Sequence, residues 1–266
     1  MSKKTLTIVG CGKLATLVTD ALMAGLLPDY QLIGAFSRSI EKAQAITEKV
    51  NSSNSGYICT TCEDIDHLLS LKPDYILEMA SPDSMRTLAL PALKNGSSIV
   101  TLSIGAFADT EFYEEVKKTA TRHNTRVHLV SGAIGGFDVL RTVALMGECS
   151  ASFATEKGPN SLRKSSVYDE ALQTEQRKVF EGNAQEAIAL FPTSVNVAVA
   201  ASLASVGPSN MKVSVTSTPN FVGDDHRIEI KSDQVHAVID VYSKTAQIAG
   251  WSVVNTLRNI TSPIAF

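Results

Sequence analysis

Thr5-Leu6-Thr7-Ile8-Val9-Gly10-Cys11-Gly12-Lys13-Leu14-Ala15 is the stretch on which the fold turns. A short apolar strand pattern runs into G-x-G-x-x-A. Leu14, Leu17, Val18, Ala21 and Leu22 then follow at helical spacing. Strand, glycine turn and helix in that order are the context that a dinucleotide-binding fingerprint requires. Gly10 permits the tight turn, and Gly12 lets a pyrophosphate approach the backbone. Ala15 allows helix and strand to pack closely, and the helix N-terminus favours the anion. Lys13 and Leu14 open that helix and join Gly10 and Gly12 as candidate cofactor-binding residues.

Outward from this stretch the pattern repeats. Gln31–Phe36 reads as a second strand, and Ser39 caps a helix running to about Val50. Gly56–Cys59 reads as a third strand and Asp74–Met79 as a fourth. Pro82 suits the first turn of a helix that runs toward Asn95-Gly96. Ser98–Leu102 and Val127–Val130 are the fifth and sixth strands, with a helix from Asp109 between them. Such alternation predicts a doubly wound parallel sheet covered by helices on both faces, with right-handed crossovers. Ala80 and Ser81, just beyond the fourth strand, join the cofactor set.

The second strand speaks to the cofactor. A site preferring NAD has an acidic residue at this strand's end to hold the ribose 2′-hydroxyl. Here Phe36-Ser37-Arg38-Ser39 stands there, with no carboxylate before Glu41. Ser37 and Arg38 suit a 2′-phosphate through charge-assisted hydrogen bonds, so NADP is favoured over NAD.

Composition narrows the classes. The 266 residues carry 24 basic and 27 acidic side chains, net −3, without the basic face that nucleic acid demands. At 44% hydrophobic the chain is too apolar for disorder. Mean hydropathy is +0.07, yet no apolar run reaches the roughly 18 residues of a membrane span. Lys3 and Lys4 before an apolar run imitate a signal peptide, but the run meets Gly10 after five residues and no A-x-A site follows. Cys59 and Cys62 form a single C-x-x-C with no second pair or nearby His pair, so no metal site is expected. Unclustered cysteines suit a reducing compartment, and a cytoplasmic location is expected.

After Ser131 the texture changes. Gly132, Gly135 and Gly136 crowd the chain, placed for a hinge or for close approach of backbone to ligand. The polar stretch Thr155–Gln176 reads as a mobile loop plus edge structure. Lys212–Ser217, Arg227–Lys231 and Val235–Tyr242 read as strands of an antiparallel sheet with one solvated face. Lys244–Asn259 reads as a closing helix.

These later blocks carry a family resemblance over nearly the whole chain. Ser103-Ile104-Gly105-Ala106-Phe107-Ala108-Asp109 matches S-x-G-A-[FL]-A-D, and Ser131–Leu140 matches S-G-A-I-G-G-[LF]-D-x-L. Phe180-Glu181-Gly182, Glu186-Ala187, Leu190-Phe191-Pro192 and Asn196-Val197-Ala198 match F-E-G-x-x-x-E-A-x-x-L-F-P-x-x-x-N-V-A. The chain resembles the L-aspartate dehydrogenase family. The resemblance implies oxidative deamination of L-aspartate by hydride transfer from Cα to nicotinamide C4, yielding iminoaspartate and then oxaloacetate and ammonia. It implies that Ala133 and Asn196 contact the cofactor and that His226 is catalytic. The histidine block, D-P-x-x-x-x-N-x-H in the family, reads Thr218-Pro219-Asn220-Phe221-Val222-Gly223-Asp224-Asp225-His226 here. Thr218 replaces the family's aspartate and Asp224 its asparagine. An Asp224 or Asp225 carboxylate would repel a bound dicarboxylate or raise the pKa of His226.

Chemistry alone also favours His226, because amine oxidation needs a group that moves protons near neutral pH. His67, His123 and His128 fall in the dinucleotide half, and His236 lies in an alternating strand. The substrate's carboxylates need cations. Lys244 with Thr245 is the substrate-binding choice; Lys157, where the family has a lysine before two prolines and this chain has Gly158-Pro159, ranks behind it, and either lysine could equally be a surface residue. The expected whole is a Rossmann-type doubly wound domain, residues 1–130 and 243–266, with an α+β substrate and oligomerisation domain over 131–242. A homodimer follows as a fold-level expectation. A same-fold dehydrogenase for another amino acid or a semialdehyde, and a non-catalytic NADP(H)-binding sensor, remain the alternatives.

Overall fold

The computed structural model describes residues 3–53, 56–192 and 195–266. The chain divides into two compact units. One comprises 1–106, 110–130 and 249–266, and the other 107–109 and 131–248.

The first unit runs β1 (Lys4–Val9), α1 (Lys13–Met23), β2 (Tyr30–Phe36), α2 (Ile40–Asn51), β3 (Thr60–Thr61) and α3 (Ile65–Ser70). It continues with β4 (Tyr75–Glu78), α4 (Pro82–Lys94), β5 (Ser98–Thr101), α5 (Thr110–His123) and β6 (Val127–Leu129). The strands form one sheet in the order β3-β2-β1-β4-β5-β6, and every pairing is parallel. Leu6–Val9 of β1 is buried without alternation, as a strand covered on both faces should be. Strand order reverses beside β1, so the carboxyl ends of β1 and β4 flank the crevice where such sheets bind ligands. Ser81 caps α4 by accepting from the Ser84 N–H, and Pro82 opens the helix.

The third strand departs from the expectation. Gly56–Cys59 is not a strand; the pairing falls on Thr60–Thr61 against Gly34–Ala35. The Asn51 side chain occupies both main-chain groups of Cys59, accepting from its N–H and donating to its carbonyl. That holds the segment to the end of α2 rather than to the sheet.

The second unit contains α6 (Phe137–Leu145), β7 (Ser150–Lys157), β8 (Arg177–Asn183), α7 (Ala184–Leu190), α8 (Asn196–Leu203), β9 (Lys212–Ser217), β10 (Asp224–Lys231) and β11 (His236–Ser243). Its sheet is ordered β11-β10-β7-β9-β8. Two expectations are overturned here. The polar run from Thr155 opens inside the central strand: β7 alternates between buried and half-buried residues to its last position, Lys157. Short 3-10 turns at Pro159–Leu162 and Glu170–Gln173 then carry the chain to the edge strand β8. Nor is the sheet wholly antiparallel, since β7 and β9 pair in parallel through six residues.

The last helix, α9 (Gln247–Thr261), starts three residues later than its sequence pattern implies. From Ala249 onward it belongs to the first unit. Gly250 packs on Leu14 and Leu17 of α1, and the Tyr30 hydroxyl donates to the Leu257 carbonyl at 2.7 Å.

Candidate active site

The glycine turn of the first unit is made for close approach. Gly10 has φ +94° and its N–H donates to the Phe36 carbonyl at 2.9 Å, tying the ends of β1 and β2 together. A Cβ on Gly10 would lie 2.7 Å from Ala80, so only glycine fits both the conformation and the space. Around Gly12 the opposite holds: a Cβ there meets nothing within 4 Å. Gly12 is the N-cap of α1 and contributes no side-chain cap, so the opening N–H groups, those of Lys13 and Leu14 included, remain for an anion. An orienting turn, an open approach and an uncapped helix N-terminus fit a dinucleotide pyrophosphate.

Ser37 and Arg38 follow β2, with Ser37 half-buried and Arg38 exposed. Glu41 sits in the first turn of α2 and accepts from the Ser39 hydroxyl at 2.7 Å, which lowers its pKa. Ala80 and Ser81 are held by a residue the sequence reading missed. The Glu78 carboxylate, fully buried, accepts from the Ala80 and Ser81 N–H groups at 3.0 and 3.1 Å and from the Thr101 hydroxyl at 2.7 Å. Burial nonetheless pushes its carboxyl upward in pKa.

In the second unit the sheet register assembles a polar end to an otherwise apolar face. His226 stands opposite Thr155, Asp224 opposite Lys157, and Lys157 beside Ser217. The neighbours on that face are Phe153, Val213, Val215, Ile228 and Ile230, all buried. His226 is 2% exposed, its Nδ1 lies 2.9 Å from the Thr155 hydroxyl, and its ring tilts against Phe153 at 5.5 Å. Lys157 is not the surface residue its setting implied. Its side chain is 4% exposed, and it forms an ion pair with Asp224, which is 33% exposed.

The electrostatics also correct an expectation. Burial, reinforced by the Lys157 ammonium, pulls the His226 pKa down to about 4 against the opposing pull of Asp224. The imidazole is therefore neutral at physiological pH, not held charged by its acidic neighbours. Asp225 points the other way along β10. Burial and the nearby Asp240 and Glu156 carboxylates raise its pKa.

Ala133 and Asn196 are each next in sequence to one of a pair of residues in contact, Gly132 and Val197. The turn Ser131–Gly136 closes with the Ile134 N–H on the Ser131 carbonyl, and Gly132 packs on Val197 at the start of α8. Lys244 and Thr245 lie in the exposed link between β11 and α9. There the Thr245 hydroxyl accepts from the Gln247 N–H and Gly223 packs on the Lys244 backbone. The buried cation of the polar end is Lys157. No group of three or more His, Cys, Asp or Glu fit to hold a metal occurs among the described residues.

A family model described as aspartate dehydrogenase, C-terminal, matches residues 138–260, and one described as homoserine dehydrogenase, NAD binding domain, matches residues 10–130. An L-aspartate dehydrogenase from Methanococcus maripaludis strain C6 is 30% identical over 97% of each chain. The chain belongs to the L-aspartate dehydrogenase family. A second relative of that name, from Methanosarcina mazei, is also 30% identical over 97% of each chain. The crystal structure of aspartate dehydrogenase from Thermotoga maritima superposes with a TM-score of 0.76 at 26% identity, covering 99% of both chains. A homoserine dehydrogenase from Thermoplasma acidophilum, at 13% identity and TM-score 0.61, shares the fold. Family membership covers the polar end of the second sheet as well as the glycine turn, and makes the protein a dehydrogenase that uses a nicotinamide cofactor. No helix among the described residues is long and apolar enough to cross a membrane.

Proposed function

We propose that the protein oxidises L-aspartate to oxaloacetate and ammonia, reversibly, with NADP preferred over NAD. The observation that carries the reading is the buried His226–Thr155 pair beside the Lys157–Asp224 ion pair, within the region matched to the family. The first unit, residues 1–106, 110–130 and 249–266, binds the dinucleotide: Gly10, Gly12, Lys13 and Leu14 at the pyrophosphate, Ser37 and Arg38 at the 2′-phosphate, Ala80 and Ser81 near the nicotinamide. Residues 131–242 supply Ala133 and Asn196 to the cofactor and His226 to the substrate. The oxidised nicotinamide, when bound, supplies a hydride acceptor at C4.

This chain's own residues manage protons and charge. A neutral imidazole can take a proton from the water that adds to the iminium carbon and return it to the departing amine. Thr155 fixes Nδ1, which leaves Nε2 to act on the substrate. A carboxylate bound beside the ring raises the depressed pKa toward the working range. Lys157 is the cation for that carboxylate, with Lys244 and Thr245 at the exposed rim. In balance, L-aspartate, water and oxidised cofactor give oxaloacetate, ammonium, reduced cofactor and a proton. A homodimer is the expected assembly. The free thiols of Cys11, Cys59, Cys62 and Cys149 suit a cytoplasmic setting.

The test is the absorbance of reduced nicotinamide with purified protein, L-aspartate and either NADP or NAD at alkaline pH. Oxaloacetate with ammonium serves for the reverse direction. Signal with L-aspartate and none with D-aspartate or glutamate supports the reading. Silence in both directions, with reduced cofactor still bound, overturns it and turns attention to another substrate.

A further inference from the structure

Lys157, Asp224 and Ser217 form one row across three adjacent strands, β10, β7 and β9. The Lys157 ammonium is buried and already paired with Asp224. The Ser217 hydroxyl, next in the row, is fully buried and has no hydrogen-bond partner among the described residues. A buried hydroxyl left unsatisfied costs stability unless something else completes it. With His226 neutral, the charges at this end sum to zero. The cation that a substrate carboxylate needs is thus occupied, and a donor beside it is vacant.

We propose that Asp224 sets the substrate preference of this site: its carboxylate stands on Lys157 in place of a substrate carboxylate, and binding exchanges one for the other, with Ser217 as the second donor to the incoming group. The inference rests on the reading of the site as one for a dicarboxylate. The asymmetry in burial decides which partner gives way. Lys157 at 4% exposure cannot leave, whereas Asp224 at 33% has water within reach of its side chain. Two carboxylates facing one buried ammonium would leave a negative charge uncompensated, so the arriving group must displace Asp224. Asp224 is accordingly a specificity-determining residue, and the exchange weakens the site's grip on small dianions.

The experiment is a calorimetric titration of the full-length protein, with NADPH present, using succinate as an unreactive dianion and butanoate as its monoanionic counterpart. Asp224→Asn keeps a carbonyl oxygen for Lys157 and removes the charge. It should tighten succinate on the order of tenfold, and butanoate, whose one carboxylate must make the same exchange when it takes Lys157, by no more than that. Asp224→Ser serves as a second uncharged variant and should do the same. Equal affinities in wild type and both variants overturn the proposal. A crystal structure of the wild-type protein with succinate needs no variant at all. A succinate carboxylate on Lys157 and Ser217, with Asp224 swung away, supports the exchange; Asp224 still on Lys157 overturns it. Aspartate turnover in the wild type separates the two ideas. Turnover without the succinate gain removes the exchange alone. The succinate gain without turnover removes the reaction and keeps the exchange.

Discussion

In the first unit the candidate cofactor surface is main chain. Gly10 and Gly12 present backbone, α1 offers its opening N–H groups, and Glu78 reaches from beneath to hold the Ala80 and Ser81 amides. In the second unit it is side chain: Thr155, Lys157, Asp224 and His226 meet only because β7 and β10 lie in one register, 67 and 71 residues apart in the sequence. A backbone site needs residues that do little, so it tolerates few replacements and binds a constant part of its ligand. A side-chain site can be retuned one residue at a time, the role proposed for Asp224.

The comparison breaks most sharply at His226. His226→Ala should lower turnover about a thousandfold, the middle of the range for losing an acid–base group, while NADPH affinity stays within about twofold. Steady-state rates and fluorescence titration of NADPH check it. Equal losses in both would show that the histidine supports structure common to both sites.

Gly10→Val is the matching test on the backbone side. A branched Cβ at φ +94°, 2.7 Å from Ala80, must push the β4 loop away from the turn. NADPH affinity should fall about a hundredfold while the far-ultraviolet circular dichroism is preserved. Retained affinity would mean that the turn does not govern cofactor binding.

These two positions also differ in how openly the sequence declares them. The glycine turn is local: strand, turn and helix lie within twenty residues, and every feature of the fingerprint is a residue type at a fixed spacing. The first five strand positions other than Gly56–Cys59 follow from the same local logic, and that one fails because the Asn51 side chain, not periodicity, decides it. His226 is legible through its motif, but its partners are not. Ser150–Lys157 has polar residues at inward positions Thr155 and Lys157, so its period-2 pattern hides a strand end that is buried to its last residue. Lys157 therefore looks like a surface lysine until the β7–β10 register pairs it with Asp224. Glu78 is hidden the same way, a carboxylate at the end of an apolar strand whose purpose lies in main-chain groups two and three residues on.

Burial at the polar end has a pH signature that the glycine turn lacks. His226 has a folded pKa of about 4, below the roughly 6.5 of an unfolded imidazole. As pH falls, the unfolded chain takes up the proton first. The stabilising contribution is thus present above about pH 6.5 and is lost as pH drops through about 4. Urea unfolding at pH 7 and pH 4.5 should show wild type losing about 2 kcal/mol more than His226→Asn. Parallel losses would mean that the imidazole is protonated in the folded state as readily as in the unfolded one.

The smallest effect tests the proposal that the side chain of Arg38 helps the first unit to choose its cofactor. Arg38 is exposed at the end of β2, so its charge is screened by water and is worth modest energy. Because a 2′-phosphate is the only group by which the two cofactors differ, even a modest contact appears entirely in their ratio. Glu41, the nearest carboxylate in sequence, is engaged with Ser39 at the start of α2, so nothing acidic is offered to a 2′-hydroxyl by that segment in compensation. Arg38→Ala should therefore weaken NADPH about tenfold and leave NADH within twofold. The difference should shrink as ionic strength rises. If both cofactors weaken together, Arg38 supports the loop and not the phosphate. Selectivity in this unit would then have to come from Ser37 and the main chain.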